Sequence, residues 1–369
     1  MPSSTIRGIW LISALLAVVG VGLPAAAAQE RASLSGYIED ATSGETLIGA
    51  NVLVEGAERG ASTNTSGYYT LPRLEAGTYT VRFSYVGYLT ERVEISLEPG
   101  EERRLDVALV PDDVTIDEVV VTAEEAEREE ARDLGIGQLP VRLVRELPSV
   151  LEPDVFRSLQ LLPGIAQASD FSSGLYIRGG SPDQTLILLD RTTVYNPSHF
   201  FGFFSTFNPD AIKDVRVYKG GFPASYGGRL GSVVDIYNKD GNRRRTGGSV
   251  SLGLLASRAF LEGPLPDDQG SYMIAVRRST LEPLLAILQD ADIDGIPENF
   301  YFYDVNAKVN WDADDRNRFS LSGYAGRDNL LLPFLDDAVF DIAYGNQTLS
   351  LNWTHLFSSR LFSNFTFTG

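Results

Sequence analysis

The 369-residue chain contains no cysteine. That excludes disulfides, thiolate metal sites and a lipid anchor on an N-terminal cysteine. It has two histidines, His199 and His355, and neither stands in a zinc-ligand spacing. A basic excess is also missing: 49 Asp and Glu oppose 31 Lys and Arg, for a formal charge of −18. This balance disfavours a nucleic-acid partner, since phosphate binding requires clustered cations. Acidity of this kind is also what a high-salt habitat would select for solubility. After residue 28 no apolar run could span a bilayer as a helix, so any membrane crossing must use strands. No nucleophile–base pair, zinc motif or carboxylate pair stands in a recognisable context, and an enzymatic role has no support.

What is abundant is glycine (35), phenylalanine (19) and tyrosine (16), a composition that favours turn-rich β architecture. Residues 1–28 read as a secretory signal peptide. Arg7 supplies the positive end, Ile9 to Val21 the apolar core, and Ala26-Ala27-Ala28 the small-residue cleavage site. Over 29–110, strand patterns at Ser33–Ile38, Ala50–Val54, Tyr68–Leu71, Thr78–Tyr85, Arg92–Leu97 and Arg103–Leu109 alternate with turn signals such as Asn64-Thr65-Ser66-Gly67 and Pro99-Gly100. This spacing predicts a β-sandwich. The runs SGYIEDATSGETLIGANVLVEG and TNTSGYYTLPRLEAGTYTVRFSYVGY resemble the carboxypeptidase-D regulatory-like domain, a transthyretin-like, non-catalytic appendage. A periplasmic spacer and a specific docking role both remain open for it.

Residues 111–133 change character. Asp113 to Ala123 is β-branched and bounded by charge, and an acidic run to Asp133 follows. A β-prone segment on a polar leash suits strand addition to the edge of a partner's sheet. Ile116-Asp117-Glu118-Val119-Val120-Val121-Thr122-Ala123 resembles a TonB box. Over 134–240 the ordered series Arg178-Gly179-Gly180, Asp190, Lys219-Gly220-Gly221 and Tyr226-Gly227-Gly228 resembles the plug of TonB-dependent outer-membrane receptors. One departure is visible: Asp190-Arg191 stands where the family commonly has Asp-Gly. Within this region 147–166 predicts a helix with a Pro-Gly stop, and 208–236 a short helix, a strand, a glycine turn and a closing strand. The Gly runs match neither phosphate-binding fingerprint.

Between the halves of the plug lies an aromatic-rich segment, Tyr195 to Phe207. In the family, plug loops at the outward apex help form the ligand site. The resemblance therefore implies Tyr195, Asn196, His199, Phe200 and Phe203 as candidate solute contacts, the alternative being a wedge against the barrel wall.

From 241 to 369 alternation becomes clean. Tyr301, Tyr303, Val305, Ala307, Val309 and Trp311 alternate with Phe302, Asp304, Asn306, Lys308 and Asn310. Such a strand is ~33 Å long and, tilted, covers ~24 Å of height, close to the ~25 Å apolar band of an outer-membrane barrel. Short turns at Pro264–Gln269, Asp312–Asp315 and Ser358-Ser359 would face the periplasm; long loops at Leu281–Asn299 and Asp328–Val339 would face outward. Parity then requires two short strands between about 247 and 262 and about seven in all. Receptors of this class close with about 22 strands, so an incomplete barrel and a fragment of a longer protein are expected.

The expected fold is thus mainly β: a transthyretin-like sandwich, an α+β plug, and the first strands of a barrel. The resemblance implies energised import of a scarce solute, with the TonB C-terminal domain and its partners ExbB and ExbD, and outer-membrane lipid around the barrel. A surface signalling or adhesion receptor using the same plug is the alternative. No cofactor is expected, save that Asp290, Asp292 and Asp294 begin like a calcium loop; Tyr301 stands where such a loop has its bidentate Glu.

Overall fold

The structure is a computed structural model that describes residues 31–57, 59–112, 136–140, 144, 152–167, 173–291, 297–335 and 338–369. Residues 1–28, expected as a leader, and the box-like segment 116–123 lie outside these residues. No helix among the described residues is long and apolar enough to cross a membrane, which says nothing about crossing by strands.

The first unit is a sandwich of two sheets built from β1 (Ala32–Asp40), β2 (Asn51–Val54), β3 (Arg59–Ser62), β4 (Tyr68–Leu74), β5 (Gly77–Ser84), β6 (Glu91–Leu97), β7 (Glu102–Arg104) and β8 (Val107–Leu109). One sheet runs β3-β2-β5-β6; in the other β1 pairs with β4 and, in parallel, with β7 and then β8. Period-two alternation in β2 and β5 sends Val52, Val54, Val81 and Phe83 into the core with Leu34 and Ile38. The strand β3 carries no apolar alternation, so it is not visible as a strand pattern.

The second unit contains β9 (Ile136–Pro140), α1 (Val155–Leu159), β10 (Ile165–Ala166), β11 (Tyr176–Ile177), β12 (Thr185–Leu189), β13 (Thr192–Thr193), β14 (Ser198–His199), β15 (Phe204–Ser205), β16 (Ile212–Tyr218) and β17 (Ser232–Asn238). Its main sheet is ordered β13-β12-β17-β16-β9. Both faces of β17 are buried, as its continuous Val-Val-Asp-Ile-Tyr run requires. Of the predicted helix at 147–166, residues 147–151 lie outside the described residues, and 152–166 hold a single short turn, α1, capped by Asp154, whose Oδ1 accepts from the Arg157 amide at 3.0 Å. The short helix expected after Asn208 is instead a turn. Asn208 Oδ1 accepts from the Asp210 amide at 3.0 Å, so the Asn side chain competes for the backbone that a helix would use.

The third unit is a seven-stranded antiparallel meander: β18 (Gly247–Leu252), β19 (Ala256–Pro264), β20 (Gly270–Ser279), β21 (Asn299–Asp314), β22 (Asn317–Leu335), β23 (Ala338–Ser358) and β24 (Leu361–Thr368). The two short strands expected before Pro264 are β18 and β19. The long loop at 281–299 holds α2 (Glu282–Asp290). The loop expected at 328–339 is not one: β22 and β23 keep their ladder to the Leu335–Ala338 pair. Leu330-Leu331-Leu332 and Val339-Phe340 offer no turn chemistry to stop it.

The inward face of this sheet wraps the second unit. Phe302, Asp304, Asn306 and Lys308 are buried, while Val309, Trp311, Leu321, Leu349, Leu351 and Phe367 point outward and are exposed. At the turn-bearing end the outward face carries a row of stacked rings. Trp311 to Phe319 and Phe319 to Trp353 are 5.8 Å apart, and Trp353 to Phe365 is 5.4 Å. The crossing from plug to wall is made at Gly241. Its φ is +89°, and a Cβ there would lie 2.2 Å from the Tyr272 carbonyl oxygen, so no other residue fits.

Candidate functional site

The strands β14 and β15 form a tight hairpin around a 3₁₀ turn at Phe200–Gly202. It presses aromatic rings on the wall: Phe200 on Phe300 at 4.5 Å and His199 stacked on Phe302 at 4.3 Å. The His199 ring, 1 % exposed, lies between two carboxylates, Nδ1 2.6 Å from Asp328 and Nε2 2.8 Å from Asp304. Burial works against a charged imidazole, but Asp304 and the hydrogen bonds to Asp304 and Asp328 outweigh it and hold its pKa above the ordinary value. Asp328 also accepts from the Phe200 amide at 2.9 Å.

Asp304 is the hub. It receives Arg277 at 2.6 Å and the Tyr324 hydroxyl at 2.8 Å. Arg277, fully buried, also donates to the Ser205 carbonyl at 2.7 Å and pairs with Glu152 at 3.1 Å. Each carboxylate in this cluster has a donor, the condition under which buried charge is tolerable. A second cluster lies where the plug ends. Buried Asp240 is held by Lys213 and by Lys308 at 2.8 Å. Burial would raise its pKa, but the two ammonium groups carry it well below the usual carboxylate range.

The third cluster lies within the plug. On β17, Asp235 is fully buried and accepts from the Tyr237 hydroxyl at 2.6 Å and the Tyr226 hydroxyl at 2.7 Å, with Arg191 at 3.4 Å. Burial raises its pKa despite these donors. The β12–β13 turn that presents Arg191 has φ of +45° at Asp190 and +72° at Arg191. A two-residue hairpin with both centres left-handed is the type I′ geometry that favours Asp-Gly. Here Arg191 occupies the glycine position and spends its side chain on Asp235 and the Tyr226 ring, 5.0 Å away.

The residues singled out in sequence fall in different places. Tyr195 is 79 % exposed and stands free of the hairpin. Asn196 exchanges bonds with Asn346 on the wall, its carbonyl accepting at 2.6 Å. His199 is enclosed, and Phe200 and Phe203 pack in the aromatic cluster at the wall. Asp190 accepts from the amide and side chain of Asn238, tying the hairpin to the end of β17. Arg178 (φ +49°), Gly179 (φ +82°), Gly221 (φ +62°) and Gly228 (φ +92°) make the compact left-handed turns that the glycine series implied. Lys219, Gly220 and Gly227 complete the same turns, and Gly180 bridges back to Ile177. Asp290 closes α2, whereas Asp292, Asp294 and the whole 116–123 segment lie outside the described residues. Sequence reading missed Arg277, Asp304, Lys308 and Asp240. Asp304 and Lys308 were within reach, being charges on the inward phase of a barrel strand.

Residues 34–121 match the CarboxypepD_reg-like domain and residues 149–233 the TonB-dependent Receptor Plug Domain. Carrying these two domains ahead of an antiparallel sheet, the chain is similar to TonB-dependent receptors. The first match runs past residue 110 and takes in 116–121 of the box-like segment. A TonB-dependent receptor of Formosa agariphila is 30 % identical over 213 residues, 54 % of this chain and 20 % of that protein. The TonB-dependent receptor SusC of Bacteroides thetaiotaomicron is 26 % identical over 264 residues, 64 % of this chain and 24 % of that protein. The chain thus spans about a quarter or less of these relatives' length. Among solved structures, the siderophore receptor PirA of Acinetobacter baumannii aligns with a TM-score of 0.46 at 19 % identity, covering 64 % of this chain and 39 % of that one. The ferric enterobactin receptor of Pseudomonas aeruginosa gives 0.42 at 15 %, covering 60 % and 38 %.

Proposed function

We propose that this receptor imports a scarce solute across the outer membrane with energy transmitted by TonB. The observation that carries the reading is the plug itself, a folded obstacle pinned inside a sheet whose outer face is apolar. Its attachment uses buried ion pairs and aromatic wedges, which are stiff when assembled and costly to break singly. A body so held needs mechanical work to move, and no bond in the solute need be made or broken. The barrel then lies in the outer membrane with its short turns in the periplasm. The N-terminal domain and the segment 116–123 lie on the same side, within reach of the TonB C-terminal domain and, through it, ExbB and ExbD. The exposed Tyr195 and the rim of Phe200 are the proposed first contacts for solute.

Cells expressing the native receptor are offered in turn a labelled ferric chelate, cobalamin, a peptide and an oligosaccharide. Deleting Ile116 to Ala123 is expected to abolish uptake of whichever accumulates while surface binding persists. Unchanged uptake in the deletion would sink the proposal, and binding without uptake in the intact receptor would favour a signalling role.

A further inference from the structure

The N-terminal domain does not hang free of the other two units. Its loop after β1 closes on the plug's end: Thr46 Oγ1 donates to Asp240 at 2.7 Å, and Glu45 accepts from the Asp240 amide at 2.7 Å and the Gly241 amide at 3.2 Å. Lys213 reaches the Thr46 carbonyl at 3.1 Å, and Arg216 donates to the Ile48 carbonyl. Other contacts lie on the wall's turn-bearing end. Arg318 stacks over the Tyr37 ring at 3.4 Å and pairs with Glu39 at 3.5 Å. Ser33 meets Ser359 at 2.9 Å, Thr70 donates to the Ser359 carbonyl at 2.6 Å, and Tyr68 packs edge-on against Phe362. Burial at this contact pushes the Tyr37 phenol up to about 12. Between plug and wall runs a hydroxyl-lined gap, with Ser320, Ser322 and Ser350 on the wall. Thr65 and Ser66 of the N-terminal domain line the same cavity, whose volume is about 50 Å³, and Ser66 bonds Thr354 at 2.5 Å.

We propose that the N-terminal domain is a stopper docked in cis on the turn-bearing mouth of its own barrel. The charge cluster around Asp240 holds it, and it seals the gap between plug and wall. A spacer would not place a glutamate on two plug amides, nor bury two tyrosines against the rim. That the seal matters for solute exit rests on the import reading above.

In the native receptor, Ser33→Cys with Ser359→Cys is expected to cross-link on mild oxidation, read as a band shift on non-reducing gels. Residues 1–369 hold no other cysteine to compete, and the single-cysteine variants serve as controls for any elsewhere in the receptor. Adding Glu45→Lys removes both amide contacts and sets a cation near Lys213. Cross-linking should then slow about tenfold or more, as expected for two lost charge-assisted hydrogen bonds. Limited proteolysis of 31–112 checks that the variant domain stays folded. No cross-link, or a rate untouched by Glu45→Lys in the folded domain, overturns the docking. For the seal, Ser322→Cys is labelled with maleimide-polyethylene glycol on the N-terminal side of reconstituted liposomes. Labelling should be slow, and about tenfold faster with Glu45→Lys; equal rates overturn the seal. Neither readout involves transport, so a failure of import leaves both intact.

Discussion

Arg191 stands at a left-handed turn position that a non-glycine residue fills at a cost of ~1–2 kcal/mol. Its guanidinium offsets this by facing buried Asp235. Arg191→Ala retains the backbone cost and loses the partner, whereas Arg191→Gly loses only the partner. Thermal unfolding in detergent should therefore rank Gly above Ala by about 1 kcal/mol; the reverse order would show that the turn is unstrained. His199 makes a prediction with a pH sign. Its folded pKa is raised, so its contribution is fully present below the unfolded value of about 6.5 and is lost as pH rises through the folded one. Melting temperature should fall with pH above that range, and His199→Gln should flatten the profile. The facing groups are Asp304, Asp328, Arg277 and Tyr324. The Asp-Arg departure was visible in sequence as a changed turn; its pairing with Asp235 was not, because 44 residues separate the partners.

At the scale of elements, period-two alternation carried the barrel strands well, since each has one lipid-type face and one packed face. It failed where packing was not two-sided. The strand β3 has no apolar phase, and the outer part of β22–β23 keeps its pairing beyond the point where a loop was expected. The short α1 shows the opposite error: apolar spacing promised a helix that tertiary contacts cut to five residues. The aromatic row offers a direct test. Trp311 and Trp353 stand on this row. The emission lost when both are replaced by Phe, which isolates these two tryptophans, should be quenched more by lipids brominated near the headgroup than by those brominated at mid-chain. Stronger mid-chain quenching would displace the row from the interface. Leu349→Arg, on the exposed outward face, should cost about 2–4 kcal/mol if it lies near mid-bilayer.

For the whole molecule, the succession of domains was legible because each has its own local signature: turns in the sandwich, an ordered glycine series in the plug, alternation in the wall. The joints between them were not. Asp240 meets Lys213, Lys308 and Thr46 from three different units, and no local pattern links such positions. The candidate solute contacts show the same limit, since the sequence leaves His199 open between facing solute and wedging against the wall, and only the fold puts it in the seam between the two.

The unbroken ladder of β22 and β23 also sets a height. At ~3.3 Å per residue and ~45° of tilt, the 21 residues of β23 rise ~49 Å, about twice the ~25 Å apolar band. In the proposed orientation, the outer half of this hairpin stands above the lipid as paired backbone, a rigid parapet. A solute arriving from outside would be guided along a fixed surface before it reached Tyr195, and would pay less ordering entropy than one captured by slack loops.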